Sequence, residues 1–247
     1  MIIGNGLIAN ALKAIEFSNV IYFCSGVSDS TETRAVRYLR ELSLLKSYLC
    51  LGLPIYYFSS IFQTPVEQKP YNLHKGYIEK LLLSDQSLKI RVVRLPQVGG
   101  GQGNPRQLLN FLTNSILRGE KFSVKKGAKR NFIHVHDLVK IIAYLSESLD
   151  SHPEENTVSR SFDVAAPETF DILEIISIIE EEVGKTALYC LDSGYFDNSF
   201  TYDSVFYDTM IRKGVVSRYT RAYGEHIVRE HIRSIVGGGN AEKNSRV

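Results

Sequence analysis

Residues 54–60 read P-I-Y-Y-F-S-S, and residues 70–84 read P-Y-N-L-H-K-G-Y-I-E-K-L-L-L-S. The first is a short apolar, aromatic run closed by two serines, which predicts a strand over 54–58. The second carries apolar residues at helical spacing and predicts a helix over 71–84. Tyr71 and Lys75 stand four apart at its head, so they share a face. An ammonium beside a phenol lowers the phenol pKa from about 10 toward neutrality. A tyrosine tuned in this way can take or give a proton near pH 7. Ser60, at the end of the preceding strand, can hold a substrate oxygen in line, with Ser59 as its competitor. A lone Y-x-x-x-K recurs on many surface helices, so the weight of the motif depends on its surroundings.

Working outward toward the N-terminus, Met1-Ile2-Ile3 is a short apolar run followed by Gly4-Asn5-Gly6-Leu7-Ile8-Ala9. This is strand, glycine turn and helix, with the spacing G-x-G-x-x-A. Such glycines let a pyrophosphate approach the backbone closely. Toward the C-terminus, alternation continues. We expect strand 19–24, helix 31–49 with Ala35, Leu39, Leu42, Leu45 and Leu49 facing the core, strand 90–95 and a glycine-rich loop 99–104. A helix from Pro105 to about 118 should follow, then helix 136–149, strand 161–165, helix 170–183, and helices over 203–213 and 217–235. Strands alternating with helices imply parallel pairing with right-handed crossovers.

Residues 130–138 read R-N-F-I-H-V-H-D-L, and residues 90–100 read I-R-V-V-R-L-P-Q-V-G-G. With the glycine turn, the two serines and the Tyr71–Lys75 pair, these blocks in this order over about 1–185 resemble the extended short-chain dehydrogenase/reductase family of nucleotide-sugar epimerases, dehydratases and reductases. The resemblance implies that Tyr71 is the general acid/base, Lys75 its pKa tuner and a ribose ligand, and Ser60 the hydroxyl that orients the substrate. It implies NAD or NADP held by Gly4, Gly6, Leu7, Ile8, Ser25, Gly26 and Lys75. It implies a nucleotide-sugar substrate contacted by Gln97, Asn104 and Arg130, the arginine forking onto a diphosphate. His134 is expected to be structural and Asp137 a helix N-cap. No metal site is expected, since two histidines alone are too few ligands.

The chain departs from that family in one respect. Only one strand–helix unit, 19–49, separates the glycine turn from the Ser60 strand. Phe23-Cys24-Ser25-Gly26-Val27-Ser28 aligns with the family's fourth strand and its small-residue loop, so the second and third strands are missing. Those strands supply the residue that reads the adenosine ribose. No acid closes strand 19–24; the nearest, Asp29, lies in a serine-rich turn. The adenosine half of the site is therefore expected to be absent, shallow or supplied by a partner subunit. Two functions stay open: an NAD(P)-dependent epimerase, reductase or dehydratase, or a non-redox nucleotide-sugar-binding or regulatory protein on the same fold.

The chain of 247 residues, with 44% apolar and 23% charged residues and a net charge of +2, has ordinary globular values. The small net charge offers no basis for binding nucleic acid or a membrane surface. No apolar run approaches the roughly 18 residues of a membrane span. Three unpatterned cysteines point to a reducing, cytoplasmic setting, with Cys24 a small buried hydrophobe. The glycine turn so close to Met1 argues against a signal peptide. The expected architecture is α/β: a doubly wound, Rossmann-like parallel sheet shortened in its N-terminal half, with a small C-terminal substrate lobe. Its expected divisions are a dinucleotide-binding core over 1–170, which includes the 97–125 part of that lobe, a substrate-binding part over 171–235 and a disordered tail over 236–247. A homodimer is the expected assembly.

Overall fold

The alternation read from the sequence is present in the computed structural model, which describes residues 1–15, 19–61, 69–86, 89–101, 103–151, 160–192 and 204–244. In chain order the elements are β1 (Ile2–Ile3), α1 (Leu7–Leu12), β2 (Ile21–Phe23), α2 (Ala35–Leu49), β3 (Ile55–Ser60), α3 (Pro70–Ser84), β4 (Ile90–Leu95) and β5 (Gln97–Gly99). There follow α4 (Leu108–Arg118), β6 (Phe122–Lys125), β7 (Lys129–Arg130), β8 (Phe132–His134), α5 (Val135–Ser151), β9 (Ser161–Asp163), β10 (Phe170–Asp171), α6 (Ile172–Val183), β11 (Tyr189–Asp192), α7 (Val205–Arg212) and α8 (Arg221–Asn244).

One five-stranded sheet runs β1-β2-β3-β4-β9, parallel throughout. A single strand, β2, stands between the glycine turn and the Ser60 strand, as the shortened alignment expects. Among the described residues no strand lies on the outer edge of β1. Side chains alternate along each strand between two cores. Tyr22, Tyr56, Phe58 and Val93 join one core with Leu12 of α1 and Leu138, Ile141 and Ile142 of α5. Phe23, Tyr57, Ile90 and Val92 join the other with Leu45 of α2 and Ile78 and Leu82 of α3. Helices therefore cover both faces, and β4 is apolar on both, as a central parallel strand must be.

This layering has a topological consequence. The steps β1 to β2, β2 to β3 and β3 to β4 all move the same way across the sheet. Yet α1 lies on one face and α2 and α3 on the other. Crossovers that step the same way on opposite faces have opposite hands. The strong preference for right-handed crossovers assigns that hand to α2 and α3 and leaves the α1 connection left-handed. α1 occupies the face that a right-handed crossover to a strand beyond the free edge of β1 would use. The helix stands where a full dinucleotide-binding sheet would put it, and the strand it would lead to is not found among the described residues.

Several boundaries differ from the sequence expectations for local reasons. α1 stops at Leu12, because the chain must travel back to start β2 at Ile21. α2 begins at Ala35 rather than 31. Asp29 Oδ1 accepts from the Thr31 amide at 2.9 Å, and Glu32 Oε1 from the Arg34 amide at 3.0 Å, holding 29–34 in turns. Leu39 is 61% exposed, not core-facing. The stripe that turns inward is Tyr38, Glu41, Leu42, Leu45, Tyr48 and Leu49. α4 starts at Leu108, because Asn104 Oδ1 accepts from the Arg106 amide at 3.0 Å and keeps Pro105 in a turn. Asp137 is in the first turn of α5, not its N-cap, and accepts from the Tyr223 hydroxyl at 2.6 Å. The expected tail at 236–247 is helical as far as Asn244. Gly237, Gly238 and Gly239 each cost about 1 kcal/mol relative to alanine. The turns before them are anchored by buried Ile227, Val228 and Ile232 and by Arg233 on Glu182 Oε2 at 2.8 Å. Residues 193–203 of the expected lobe and 245–247 lie outside the described residues. No described helix is long and apolar enough to cross a membrane.

The C-terminal packing carries a pH dependence. His231 on α8 is 1% exposed, and its Nε2 lies 3.0 Å from Asn110 Oδ1 on α4. Burial pulls its pKa down to about 4. In the unfolded chain a histidine titrates near 6.5. Between these values the unfolded state binds a proton that the folded state does not. Stability should therefore fall as pH drops from about 6.5 to about 4, by about 3 kcal/mol at the lower end. Urea unfolding at pH 7 and pH 4.5 checks this, and His231→Leu should flatten the fall.

Candidate active site

β3 delivers Ser59 and Ser60 to the carboxyl end of the sheet, with Ser60 in register with Leu95 of β4. Gln63 and Thr64 lie outside the described residues. α3 starts with Pro70 in its first turn, a position where the missing amide hydrogen costs nothing. Tyr71 follows at once, and its side chain is hydrogen-bonded to Ser60. One turn on, Lys75 is 2% exposed, with Nζ 5.9 Å from the centroid of the Tyr71 ring. The three side chains named from the sequence thus meet where β3 ends and α3 begins.

The sequence reading missed a fourth member. Glu41 on α2 is fully buried, and its carboxylate collects four donors. Oε1 accepts from Lys75 Nζ at 3.0 Å and from the Tyr57 hydroxyl at 2.7 Å. Oε2 accepts from the Val27 amide at 2.7 Å and lies 3.1 Å from His74 Nε2. Lys75 Nζ also donates to the Tyr57 hydroxyl at 3.1 Å. Burial works to raise the Glu41 pKa, but Lys75, His74, the Val27 amide and Tyr57 together bring it to about 2. A signal was present: Glu41 stands on the apolar stripe of α2, four residues before Leu45, where a charged residue needs a buried partner.

Glu41 changes the expected electrostatics. Burial is the largest influence on the Tyr71 hydroxyl and raises its pKa; Glu41 and Asp29 add to that, while Lys75 and the Ser60 hydrogen bond oppose it. The net shift is upward, against the expectation that Lys75 brings Tyr71 toward neutrality. Lys75 cannot act as an isolated cation, because Glu41 is in contact with it.

The glycine turn lies across from this group. Gly4 has φ +128°, and a Cβ there would stand 2.8 Å from the Cys24 carbonyl oxygen, so only glycine lets the turn pack on the end of β2. A Cβ at Gly6 would meet nothing within 4 Å, which leaves open space over the turn. Gly26 serves the buried pair: a Cβ there would stand 2.7 Å from Lys75 Nζ and 2.9 Å from Glu41 Oε1. Arg40 donates to the Ser25 carbonyl and hydroxyl at 3.1 and 2.6 Å. Cys24 packs against the core, and burial pushes its thiol up to about 12.

A single cleft of about 810 Å³ joins these parts. Ser60, Tyr71 and Lys75 line it, as do Gly4, Gly6, Leu7, Ile8, Ser25 and Gly26, and Gln97, Asn104 and Arg130. Its volume suits a large small-molecule ligand. Two loops are tied across it: Asn104 Nδ2 donates to Ser28 Oγ at 3.1 Å, and Arg106 Nη1 to Asp29 Oδ2 at 2.9 Å. Asp29 is thereby committed to Arg106 and Thr31 rather than to a ribose. Arg130, half-buried on β7, reaches the cleft while Nη1 donates to the Lys129 carbonyl at 2.7 Å. His134 is buried, with Nε2 3.2 Å from Glu230 Oε2. Among the described residues no three metal-ligating side chains converge.

A sequence model described as the NAD dependent epimerase/dehydratase family matches residues 59–159. The match starts at the paired serines and takes in Tyr71, Lys75 and Arg130; the glycine turn and β2 lie outside it. Among solved structures, MoeE5 in complex with UDP-glucuronic acid and NAD superposes with a TM-score of 0.67 at 17% identity, over 93% of this chain and 83% of that one. A UDP-glucose 4-epimerase from Thermus thermophilus in complex with NAD gives 0.66 at 15%, over 89% and 78%. TunA, an NAD-dependent NDP-hexosamine 5,6-dehydratase, gives 0.67 at 15%, over 92% and 80%. At these identities the likeness is one of fold, a Rossmann-like parallel sheet covered by helices. No curated protein matches the chain at a significant level.

Proposed function

We propose that this chain is a nicotinamide-dinucleotide-dependent enzyme that epimerises, dehydrates or reduces a nucleotide sugar. The observation that carries the reading is the convergence of Ser60, Tyr71 and Lys75, the lysine one helical turn behind the tyrosine, in the same cleft as the Gly4–Gly6 turn. Tyr71 is protonated at neutral pH, so in its resting state it is a proton donor. It delivers a proton to a sugar oxygen, or recovers one from it, while Ser60 holds that oxygen in line. The NAD-bound neighbours of the same fold support this reading.

The residues fit one half of a dinucleotide. The open space over Gly6 admits a pyrophosphate to the turn, and Lys75 faces the cleft where a nicotinamide ribose would lie. When bound, such a cofactor supplies the acceptor and donor of hydride. Among the described residues the other half has no strand beyond β1 to read its ribose. That edge is the specific observation favouring the second reading, a non-redox nucleotide-sugar-binding protein on this fold. The spectrum and mass of any nucleotide released from the purified protein separate the two.

Arg130 is assigned to the substrate diphosphate and the Gly4–Gly6 turn to the dinucleotide phosphates, so the two anion sites should respond separately. Arg130→Ala should weaken nucleotide-sugar binding by about 1–3 kcal/mol and leave NAD or NADP binding nearly unchanged. Gly6→Val should do the reverse. Calorimetric titration with NAD, NADP and several UDP-sugars measures both. Dinucleotide binding should be weaker than is usual for this fold. Absence of dinucleotide binding with sugar-nucleotide binding retained favours the second reading.

The expected homodimer has a natural surface. Val36 and Leu39 on α2 and Leu73 and Tyr77 on α3 are each more than half exposed, on the two helices that cover the same sheet face.

A further inference from the structure

We propose that Glu41 is a positioning residue whose buried carboxylate cancels the charge of Lys75 and so sets the pH at which Tyr71 gives up its proton. The inference deepens the proposed function, since it rests on Tyr71 as the residue that transfers the proton. Its geometry comes from three elements distant in sequence. α2 brings Glu41 Oε1 to 3.0 Å from Lys75 Nζ on α3, and both atoms reach the Tyr57 hydroxyl of β3, at 2.7 and 3.1 Å. Glu41 is fully buried and Lys75 nearly so, so water screens neither from the tyrosine. Gly26 closes over the pair, since any side chain there would collide with both.

The other charged and titratable groups around Tyr71 do not substitute for this pair. From α2 comes Tyr38, from α3 His74, from β3 Tyr57 and from the loop after β2 Asp29. Lys69, Arg106 and Arg130 line the cleft around the tyrosine. Asp29 is already paired with Arg106 at 2.9 Å. His74 shares Glu41 rather than facing the phenol alone. Burial sets the baseline at Tyr71, and Lys75 and Glu41 are the largest charges acting on it in opposite directions. A lysine alone would favour the phenolate, whereas a lysine held by a carboxylate leaves the phenol protonated well into the alkaline range.

The test follows the ionisation of Tyr71 itself and needs no substrate. The full chain is labelled with tyrosine carrying ¹³C at Cζ, the Tyr71 signal is assigned by its loss in Tyr71→Phe, and its midpoint is read by NMR titration. Glu41→Gln keeps the shape of the side chain and removes the charge; its single oxygen can accept from Tyr57 or from Val27, but not from both. It should lower the Tyr71 midpoint by about one pH unit. Glu41→Gln combined with Lys75→Met removes both charges and should return the midpoint to within half a unit of the wild type. An unmoved midpoint in Glu41→Gln overturns the proposal. So does a double variant whose midpoint stays a unit or more from the wild type, and that outcome is readable even if the single variant fails to fold. A purely supporting role for Glu41 would change stability and leave the midpoint alone. Where a substrate is in hand, the pH profile of kcat should move with the midpoint while KM changes little. A Tyr71→Phe variant with full turnover would remove the catalytic reading and leave the titration result standing.

Discussion

Replacing Tyr71 by phenylalanine should lower turnover by about 10²–10⁴-fold, the usual contribution of a positioned general acid/base. The change removes one hydroxyl and keeps the ring. Its structural cost is limited to the hydrogen bond with Ser60, a loss of about 1 kcal/mol. Circular dichroism and the thermal midpoint should therefore stay close to the wild type while kcat collapses. KM for the nucleotide sugar should change little, because Arg130 and the loop around Asn104, not the phenol, are assigned to the substrate's diphosphate end. Unchanged turnover on a confirmed substrate would end the assignment of Tyr71.

Lys75→Met should have a different and larger effect on the fold. It leaves Glu41 buried with no compensating cation. Removing one member of a buried ion pair costs about 3–5 kcal/mol, because the remaining charge must be desolvated alone. For a chain of this size that corresponds to a fall in Tm of about 6–20 °C. The sign of the pH dependence is informative. In the variant Glu41 can escape the penalty only by taking up a proton, so the loss should be largest at neutral and alkaline pH and shrink in acid. Adding Glu41→Gln should recover part of the lost stability, because it removes the unpaired buried charge, while its one oxygen can accept from Tyr57 or from Val27 but not from both. Thermal unfolding of the three variants at pH 5 and pH 8 measures all of this. A Lys75→Met protein as stable as the wild type at pH 8 would show that Glu41 is not held by Lys75. Activity alone could not reveal the distinction, since Lys75→Met is expected to lower turnover whether it acts on Tyr71 or on the fold.

The readings that came through from the sequence share a physical character. Each depended on residues within a helical turn, a strand or a tight turn of one another. Strand β3 was legible from I-Y-Y-F before Ser59-Ser60, and α3 from the spacing of Leu73, Tyr77, Ile78 and Leu82. The missing pair of strands was legible as well, because a segment too short to hold two strands and two helices announces itself by length. The errors lay where distant contacts decide. Leu39 fits the helical period, and only the packing of α2 on β2 and β3 shows that Glu41, not Leu39, is buried on the stripe with Leu45. The helical course of 236–244 depends on turns anchored against α6, which the local glycines do not reveal.

By itself, then, the sequence determined the alternating parallel architecture, the shortened N-terminal half, and the grouping of Ser60, Tyr71 and Lys75 with a glycine turn. Periodicity, turn chemistry and segment length are local properties, readable without knowing where the chain goes next. The tertiary structure alone decided the left-handed passage of α1, the burial of Glu41 against Lys75, and the upward direction of the Tyr71 pKa. Glu41 and Lys75 are 34 residues apart in the chain and 3.0 Å apart in space. Electrostatic energy follows the second of these separations, and no pattern in the first encodes it.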